Sequence, residues 1–175
     1  MNRCLRVLAL ALFTVASPLP ALDFTTHPFF KHLIGDWTAE GELKGTDDRL
    51  ITVTETWTGK PAAEGSFIIE GSRTINDDTQ NFTWIITHNP ATDGYEAVLS
   101  TANSTEPVRF EGSVSDVTLT MDLKAITGGG DSSITVQDSF ADEEKETLQS
   151  KVTFIGDQGQ TNLEGIILHK KQKRP

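Results

Sequence analysis

The amino-acid sequence predicts an all-β protein built as an antiparallel sandwich or a closed barrel. Short runs alternate between apolar and polar residues, which is the two-residue period of a half-buried strand. Turn-forming residues separate these runs at regular intervals, as in NPATDG at residues 89–94. The 175 residues are enough for one domain with a substantial core, and no change in composition marks a second domain.

Residues 1–21 are predicted to be a signal peptide rather than part of the domain. A basic start precedes an apolar run over residues 7–15, which is too short to span a bilayer. Ala21 is the favoured cleavage site and Ala16 the alternative, since both are small residues after the apolar run. We therefore expect a secreted protein, periplasmic or extracellular, without a transmembrane segment.

Cysteine content and charge exclude several classes of function. The only cysteine, Cys4, lies in the predicted signal, so the mature chain has no thiol for a disulfide, a metal site or a nucleophile. The formal net charge is −10, and loss of Arg3 and Arg6 with the signal takes it to −12. This acidity argues against nucleic acid or an anionic membrane as the main partner. A basic tail at residues 170–175 is expected to be solvated.

Residues 22–36 are predicted to form an N-terminal segment with a short helix over one end of the sheet. Pro28 suits a first helical turn. Apolar residues follow at helical spacing: Phe29, Phe30, Leu33 and Ile34. Gly35 permits a sharp turn that a side chain would obstruct, and Trp37 can then plug one end of whatever the sheet encloses.

The sheet itself is predicted to span residues 37–169 as a series of short strands. The predicted strands are 37–43, 49–58, 66–75, 80–87, 95–101, 108–112, 117–125, 132–140, 147–155 and 162–169.

The segment Leu33–Trp37, with the sequence LIGDW, resembles the Gly-x-Trp opening of lipocalin-like (calycin-type) barrels. Together with EGEL, a tryptophan in the second strand and NPATDGYEAV, it is similar to a group of exported bacterial barrel proteins with no assigned activity, and more distantly to nitrobindin-like barrels. The resemblance covers nearly the whole mature chain. It implies a single antiparallel up-and-down barrel of about ten strands whose apolar interior binds small hydrophobic molecules.

Strand parity predicts which side chains face the interior. Glu55 and Asp138 lie in mid-strand, in phase with apolar neighbours. Charges there are costly unless they are paired, and in a ligand-binding barrel they could hold a polar head group. Arg73 and His88 share the apolar phase near strand ends, where facing water is the simpler interpretation. The candidate ligand-binding residues are Trp37, Glu55, Trp57, Phe67, Arg73, Trp84 and Asp138.

The sequence predicts no metal or cofactor site. His27 and His32 are five residues apart, which places them on different faces of a helix. Nitrobindin-like barrels hold haem through a histidine on a late strand, but here His169 stands at the end of the predicted last strand, so haem is not expected. No nucleophile motif is present, and Gly128–Gly130 lacks the lysine of a phosphate loop, which indicates a turn.

The leading interpretation is an exported binding protein that holds a small, largely apolar ligand inside a lipocalin-like barrel. The alternative is a structural or protein-interaction barrel with a filled interior. A further alternative is an enzyme that uses Glu55 or Asp138 as general base, although the sequence favours a protein that is not an enzyme. Interior volume separates the first two, and the third requires two inward polar groups to converge.

Overall fold

The computed structural model describes residues 22–46, 48–126, 133–156 and 159–173. The predicted signal at residues 1–21 and the predicted turn at Gly128–Gly130 lie outside the described residues.

The described chain forms one short helix and ten strands. The helix, α1, spans Phe30–Leu33, and a single 3-10 turn, Ala63–Gly65, joins the second and third strands. The strands are β1 Gly35–Gly45, β2 Leu50–Ala62, β3 Ser66–Ile75, β4 Asp78–Asn89, β5 Gly94–Thr101, β6 Val108–Ser115, β7 Thr120–Ala125, β8 Ser133–Phe140, β9 Thr147–Ile155 and β10 Thr161–Lys171.

The strands close into one antiparallel barrel in which each pairs with its neighbours in sequence. Closure is made by β1 and β10, whose register runs from the pair Trp37 and Lys171 to the pair Gly45 and Leu163. A closed sheet leaves no edge strand with unpaired backbone groups. The structure confirms the all-β class and the up-and-down barrel of ten strands, and it rules out the sandwich.

Strand β7 is shorter than predicted. It begins at Thr120, not Val117, because residues 116–119 form a turn in which Leu119 takes a positive φ of 51°. Val117 is 94% exposed and therefore does not belong to the inner face of the sheet. Alternating apolar residues continued through this turn, and the pattern therefore resembled a longer strand.

Strand β10 is longer than predicted, since it continues two residues past His169. Lys170 and Lys171, assigned to the basic tail from the sequence, pair with Thr38 and Trp37 of β1. His169 consequently lies within the barrel wall rather than at its end.

Helix α1 and the residues before it cover one end of the barrel, as predicted. The residues at this end form an aromatic plug, consisting of Phe24, Phe29, Phe30, Trp37, Phe67 and Tyr95, all of which are buried. The ring of Phe30 is central to it, with centroids 4.7 Å from Phe24, 5.3 Å from Phe67 and 5.4 Å from Tyr95.

Polar contacts fix the helix segment to the strands. The indole N–H of Trp37 donates to the carbonyl of Leu33 at 3.1 Å. Gly59 of β2 lets the helix approach closely, because a Cβ there would stand 2.3 Å from the same carbonyl oxygen. Buried His27 accepts the Phe29 N–H at Nδ1 (3.2 Å), and its Nε2 lies 2.8 Å from the Tyr95 hydroxyl.

Candidate functional site

Beyond the aromatic plug the barrel is hollow. A cavity of about 230 Å³ lies between the strands, and side chains from all ten strands together with Leu33 of α1 line it. Most of the lining is aliphatic or aromatic. Among the described residues, five polar or charged side chains interrupt it: Glu55, Arg73, Asp138, Ser150 and His169.

Glu55 and Arg73 form an ion pair on neighbouring strands. They face each other in the register of β2 and β3, and Arg73 Nε donates to Glu55 Oε1 at 2.5 Å. The guanidinium also lies 4.8 Å above the ring centroid of Phe82. Arg73 therefore lines the cavity, as its parity indicated, and the alternative that it faces water is wrong, because the ion pair with Glu55 compensates its charge on the inner face.

A second group of polar side chains forms a hydrogen-bonded chain that begins on β2 and continues through β10 and β9 to β8. Trp57 Nε1–H donates to His169 Nδ1 at 3.0 Å. His169 Nε2 lies 2.9 Å from Ser150 Oγ, and Ser150 Oγ–H donates to Asp138 Oδ1 at 2.5 Å. Ser150 and Asp138 face each other in the register of β9 and β8, and all of these side chains are buried.

The donors in this chain determine the tautomer of His169. Since Nδ1 accepts from Trp57, the neutral ring carries its proton on Nε2 and donates it to Ser150. Burial lowers the pKa of His169 from 6.5 to about 4, against the opposing effect of nearby Glu55. The imidazole is thus uncharged at neutral pH.

The pKa of Asp138 is shifted in the opposite direction to that of His169. Burial, chiefly, and then the negative charges of Glu55 and Asp122 raise its pKa from 3.8 to about 7, while the hydrogen bond from Ser150 opposes the change. A carboxyl group with this pKa gains or loses a proton near neutral pH. That property suits an internal binding group, and equally a general base.

The hydrogen bonds of this cluster do not run in the direction that a nucleophilic triad requires. In such a triad the histidine accepts the serine proton and a carboxylate orients the histidine. Here the Ser150 hydroxyl donates to Asp138, and the facing nitrogen of His169 already carries a proton. The arrangement can hold and orient a polar group, but it does not activate Ser150.

The predicted site residues divide between the cavity and the plug. Trp57 and Trp84 line the cavity together with Glu55, Arg73 and Asp138. Trp37 and Phe67 do not, although parity placed them inward. The rings of Phe24 and Phe30 pack against Phe67, and the Leu33 carbonyl of the helix segment covers Trp37. Trp37 stacks instead on Trp57, at 5.1 Å and 11°.

His88 also lies outside the cavity. It is at the capped end, with its ring centroid 5.2 Å from that of Tyr95 and its Nε2 3.2 Å from Asp93 Oδ1.

Sequence reasoning missed Ser150 and His169. Ser150 is in phase with Leu148 and Val152, and His169 is in phase with Ile167, so the same parity rule indicates both. Ser150 is a small residue in an apolar row, and His169 was placed at a strand end. Neither therefore stood out in the sequence.

The cavity does not fit haem. A histidine binds haem iron through a nitrogen lone pair, and in His169 one nitrogen accepts from Trp57 while the other carries a proton. The volume of about 230 Å³ is also small for a four-ring macrocycle, given that a cavity of about 150 Å³ holds benzene. The reason drawn from the sequence, a histidine at the strand end, was wrong. In the described parts of the chain, no three histidine, cysteine or acidic side chains form a group suited to a metal.

Comparison with known proteins adds to the description of the fold. No protein-family model matches the sequence, and no curated protein matches it significantly. Within the described residues, no helix is both long and apolar enough to cross a membrane.

Two solved structures share the architecture. The S-type phycobiliprotein lyase CPES from Guillardia theta is similar over 84% of this chain and 92% of its own, with a TM-score of 0.63 and 10% sequence identity. Rv2717c from M. tuberculosis is similar over 88% of this chain and 100% of its own, with a TM-score of 0.62 and 10% identity. The chain accordingly has a lipocalin-like (calycin-type) barrel fold.

Proposed function

We propose that this protein is an exported binding protein that holds a compact, largely apolar ligand inside its barrel. The observation that carries the proposal is the cavity of about 230 Å³, with an apolar wall and a few buried polar groups. This combination is typical of small-molecule sites. A barrel that served only as a structural element would have little reason to leave this volume unfilled, since an empty cavity lowers stability.

The cavity volume favours a small ligand. Pockets for drug-sized molecules measure about 300–1,000 Å³, and a cavity of about 150 Å³ holds benzene. At about 230 Å³, the space enclosed by the described residues suits a molecule of one or two rings better than a long acyl chain.

The polar side chains would orient such a ligand. Glu55 and Arg73 on one side, and Asp138 and Ser150 on the other, offer charged and hydroxyl groups within an otherwise apolar wall. Buried polar groups discriminate strongly, because a ligand that leaves one of them without a partner loses affinity. The ligand would therefore carry one polar group on an apolar body.

Titration of the mature protein with indole, naphthalene and a long-chain fatty acid tests this function. Trp57 and Trp84 line the cavity, so the NMR signals of their indole N–H groups in isotope-labelled protein should shift saturably with the two-ring probes. Val152→Phe, which fills the cavity, should reduce the affinity at least tenfold. Ile166→Phe on the outer face, where Ile166 is 45% exposed, is the matched control and should bind as wild type does. If no probe saturates, or if both variants behave alike, the proposed function is wrong.

Export is a separate part of the proposal and rests on residues 1–21, with the protein periplasmic or extracellular after cleavage. The LIGDW motif also supports a place in the exported Gly-x-Trp group. The intact mass of the protein recovered outside the cytoplasm should correspond to a chain that starts at Leu22, or at Ser17 if cleavage follows Ala16. A retained residue 1 would contradict export through a cleaved signal.

A further inference from the structure

We propose that the ligand is a hydrophobic amine whose ammonium group lies beside Asp138 in the cavity. The inference rests on the proposed function, since it names the chemical class that the same cavity takes. It follows from the charges around the cavity, the aromatic wall and the charge of the whole chain.

The charges of the cavity leave one carboxyl group without a cation. Arg73 is the cation of the lining, and its Nε is bound to Glu55. His169 cannot supply a second positive charge, because Trp57 occupies its Nδ1 and burial keeps it neutral. Asp138 is bound only through the Ser150 hydroxyl, and no lysine or arginine of the described residues forms an ion pair with it. An ammonium group would supply the missing charge and convert Asp138 from a costly buried carboxylate into a paired one.

The walls of the cavity favour a cation as well. Trp57, Trp84, Phe82 and Phe110 contribute aromatic rings to the lining, and the rings of Trp84 and Phe110 lie 4.9 Å apart. Ring faces attract cations, as the position of Arg73 above Phe82 already illustrates. An aromatic or alkyl amine would place its apolar body against these rings.

The net charge of the chain also favours a cationic ligand. A formal net charge of −10 attracts cations and repels anions in solution. Inside the barrel, an anionic head group would meet both Glu55 and Asp138, and the single guanidinium of Arg73 is already engaged with Glu55. A carboxylate ligand is thus disfavoured both as it approaches the protein in solution and once it lies inside the barrel.

Amine binding should depend on pH through Asp138. The groups that face Asp138 or act on its charge are Ser150 from β9, Glu55 from β2 and Asp122 from β7, and Arg73 and His169 line the same cavity. Because the pKa of Asp138 is about 7 in the empty cavity, a bound ammonium would draw off its proton. We expect the release of about half a proton at pH 7, and affinity that falls about tenfold for each pH unit below it.

The test uses three probes of matched size with the mature protein: 2-phenylethylamine, 2-phenylethanol and phenylacetate. Calorimetric titration should give the order amine, alcohol, acid, with the amine at least tenfold tighter than the alcohol at pH 8. Titrations of the amine at pH 7 in buffers of different ionisation enthalpy should detect the released proton. Asp138→Asn, which keeps the shape and can still accept from Ser150, should reduce the ratio of amine to alcohol affinity at least tenfold. Asp122→Asn removes one negative charge from an exposed side chain and is the matched control.

The outcomes separate the two proposals. If the alcohol binds as tightly as the amine, or if the amine binds without proton release, the amine inference is wrong while the binding function stands. If the two Asn variants lower the affinity ratio equally, general charge and not Asp138 selects the ligand, which also overturns the inference. If none of the three probes binds, the proposed binding function fails first. Proton release is measured on wild-type protein, so the test holds even if Asp138→Asn does not fold.

Discussion

The two halves of this barrel differ in how their interior is filled. At the capped end, the aromatic plug leaves its rings almost without solvent contact, with Phe29, Phe30 and Phe67 at 0% exposure. In the other half, the same strands surround a cavity of about 230 Å³ that contains the buried polar groups. The filled half therefore stabilises the fold through packing, and the hollow half presents polar groups within an apolar cavity.

The origin of this difference is the short N-terminal segment. A barrel of about eight strands has an interior that side chains can just fill, and ten strands enclose more space. Phe24, Phe29 and Phe30 enter from outside the strand set and fill one end only. The polar groups lie where no such segment reaches, and so the helix segment defines the extent of the cavity.

Truncation in the plug should have the largest effect. Phe30→Ala removes a fully buried ring that contacts Phe24, Phe67 and Tyr95, and should lower the free energy of unfolding by about 3–5 kcal/mol. Leu99→Ala in the cavity wall should lower it by only about 1–2 kcal/mol, because Leu99 already faces empty space. Urea denaturation of both variants measures the difference. Equal losses would mean that the two halves are packed alike.

Enlarging a side chain should also destabilise the filled half more than the hollow half, although by a smaller amount. Ala97 is 1% exposed and does not line the cavity, so Ala97→Leu should cost about 1–3 kcal/mol. Val136 lines the cavity, and Val136→Leu should change stability by less than about 0.5 kcal/mol. Comparing the denaturation midpoints tests this contrast, and a larger loss for Val136→Leu would contradict a hollow interior.

The pH dependence of stability should reveal the two buried titrating groups of the cavity. Asp138 has its pKa raised from 3.8 to about 7, so its stabilising contribution is complete below about pH 4 and is lost as the pH rises through 7. His169 has its pKa lowered from 6.5 to about 4, so its contribution is present above pH 6.5 and is lost as the pH falls through 4. Between pH 4 and 6.5 the two slopes oppose each other in the wild-type protein.

Asp138→Asn removes one of these slopes. Relative to wild type, the variant should gain stability as the pH rises from 4 to 7, by at most about 1.4 kcal/mol per pH unit. Urea denaturation at four pH values across this range checks the sign, with Asp122→Asn as the surface control. Parallel curves for wild type and Asp138→Asn would mean that Asp138 titrates normally in the folded protein.

The sequence indicated the barrel well because alternation is a local property. The inward position of Glu55 and Asp138 follows from parity within single strands. His169 was misplaced because its position depends on where β10 ends, and the last residues of that strand are held by their partners in β1, far away in the chain.

The division into a filled and a hollow half could not be predicted in the same way. Trp37 and Trp57 have equivalent patterns in the sequence, yet only Trp57 lines the cavity. The difference arises from the position of the helix segment, which packs over Trp37 through the carbonyl of Leu33. That contact joins the helix segment to β1 in the folded protein, and the alternation of residues within a strand does not predict it.

The most direct test of a hollow, ligand-binding half is a methyl NMR titration of the mature protein with indole. We expect saturable shifts for methyl groups on the cavity wall, in Leu99, Val108 and Ile134. The methyl groups of Leu50 and Ile166, exposed by 55% and 45%, should not move. Shifts confined to such exposed methyl groups, or no saturable shift at all, would contradict the account.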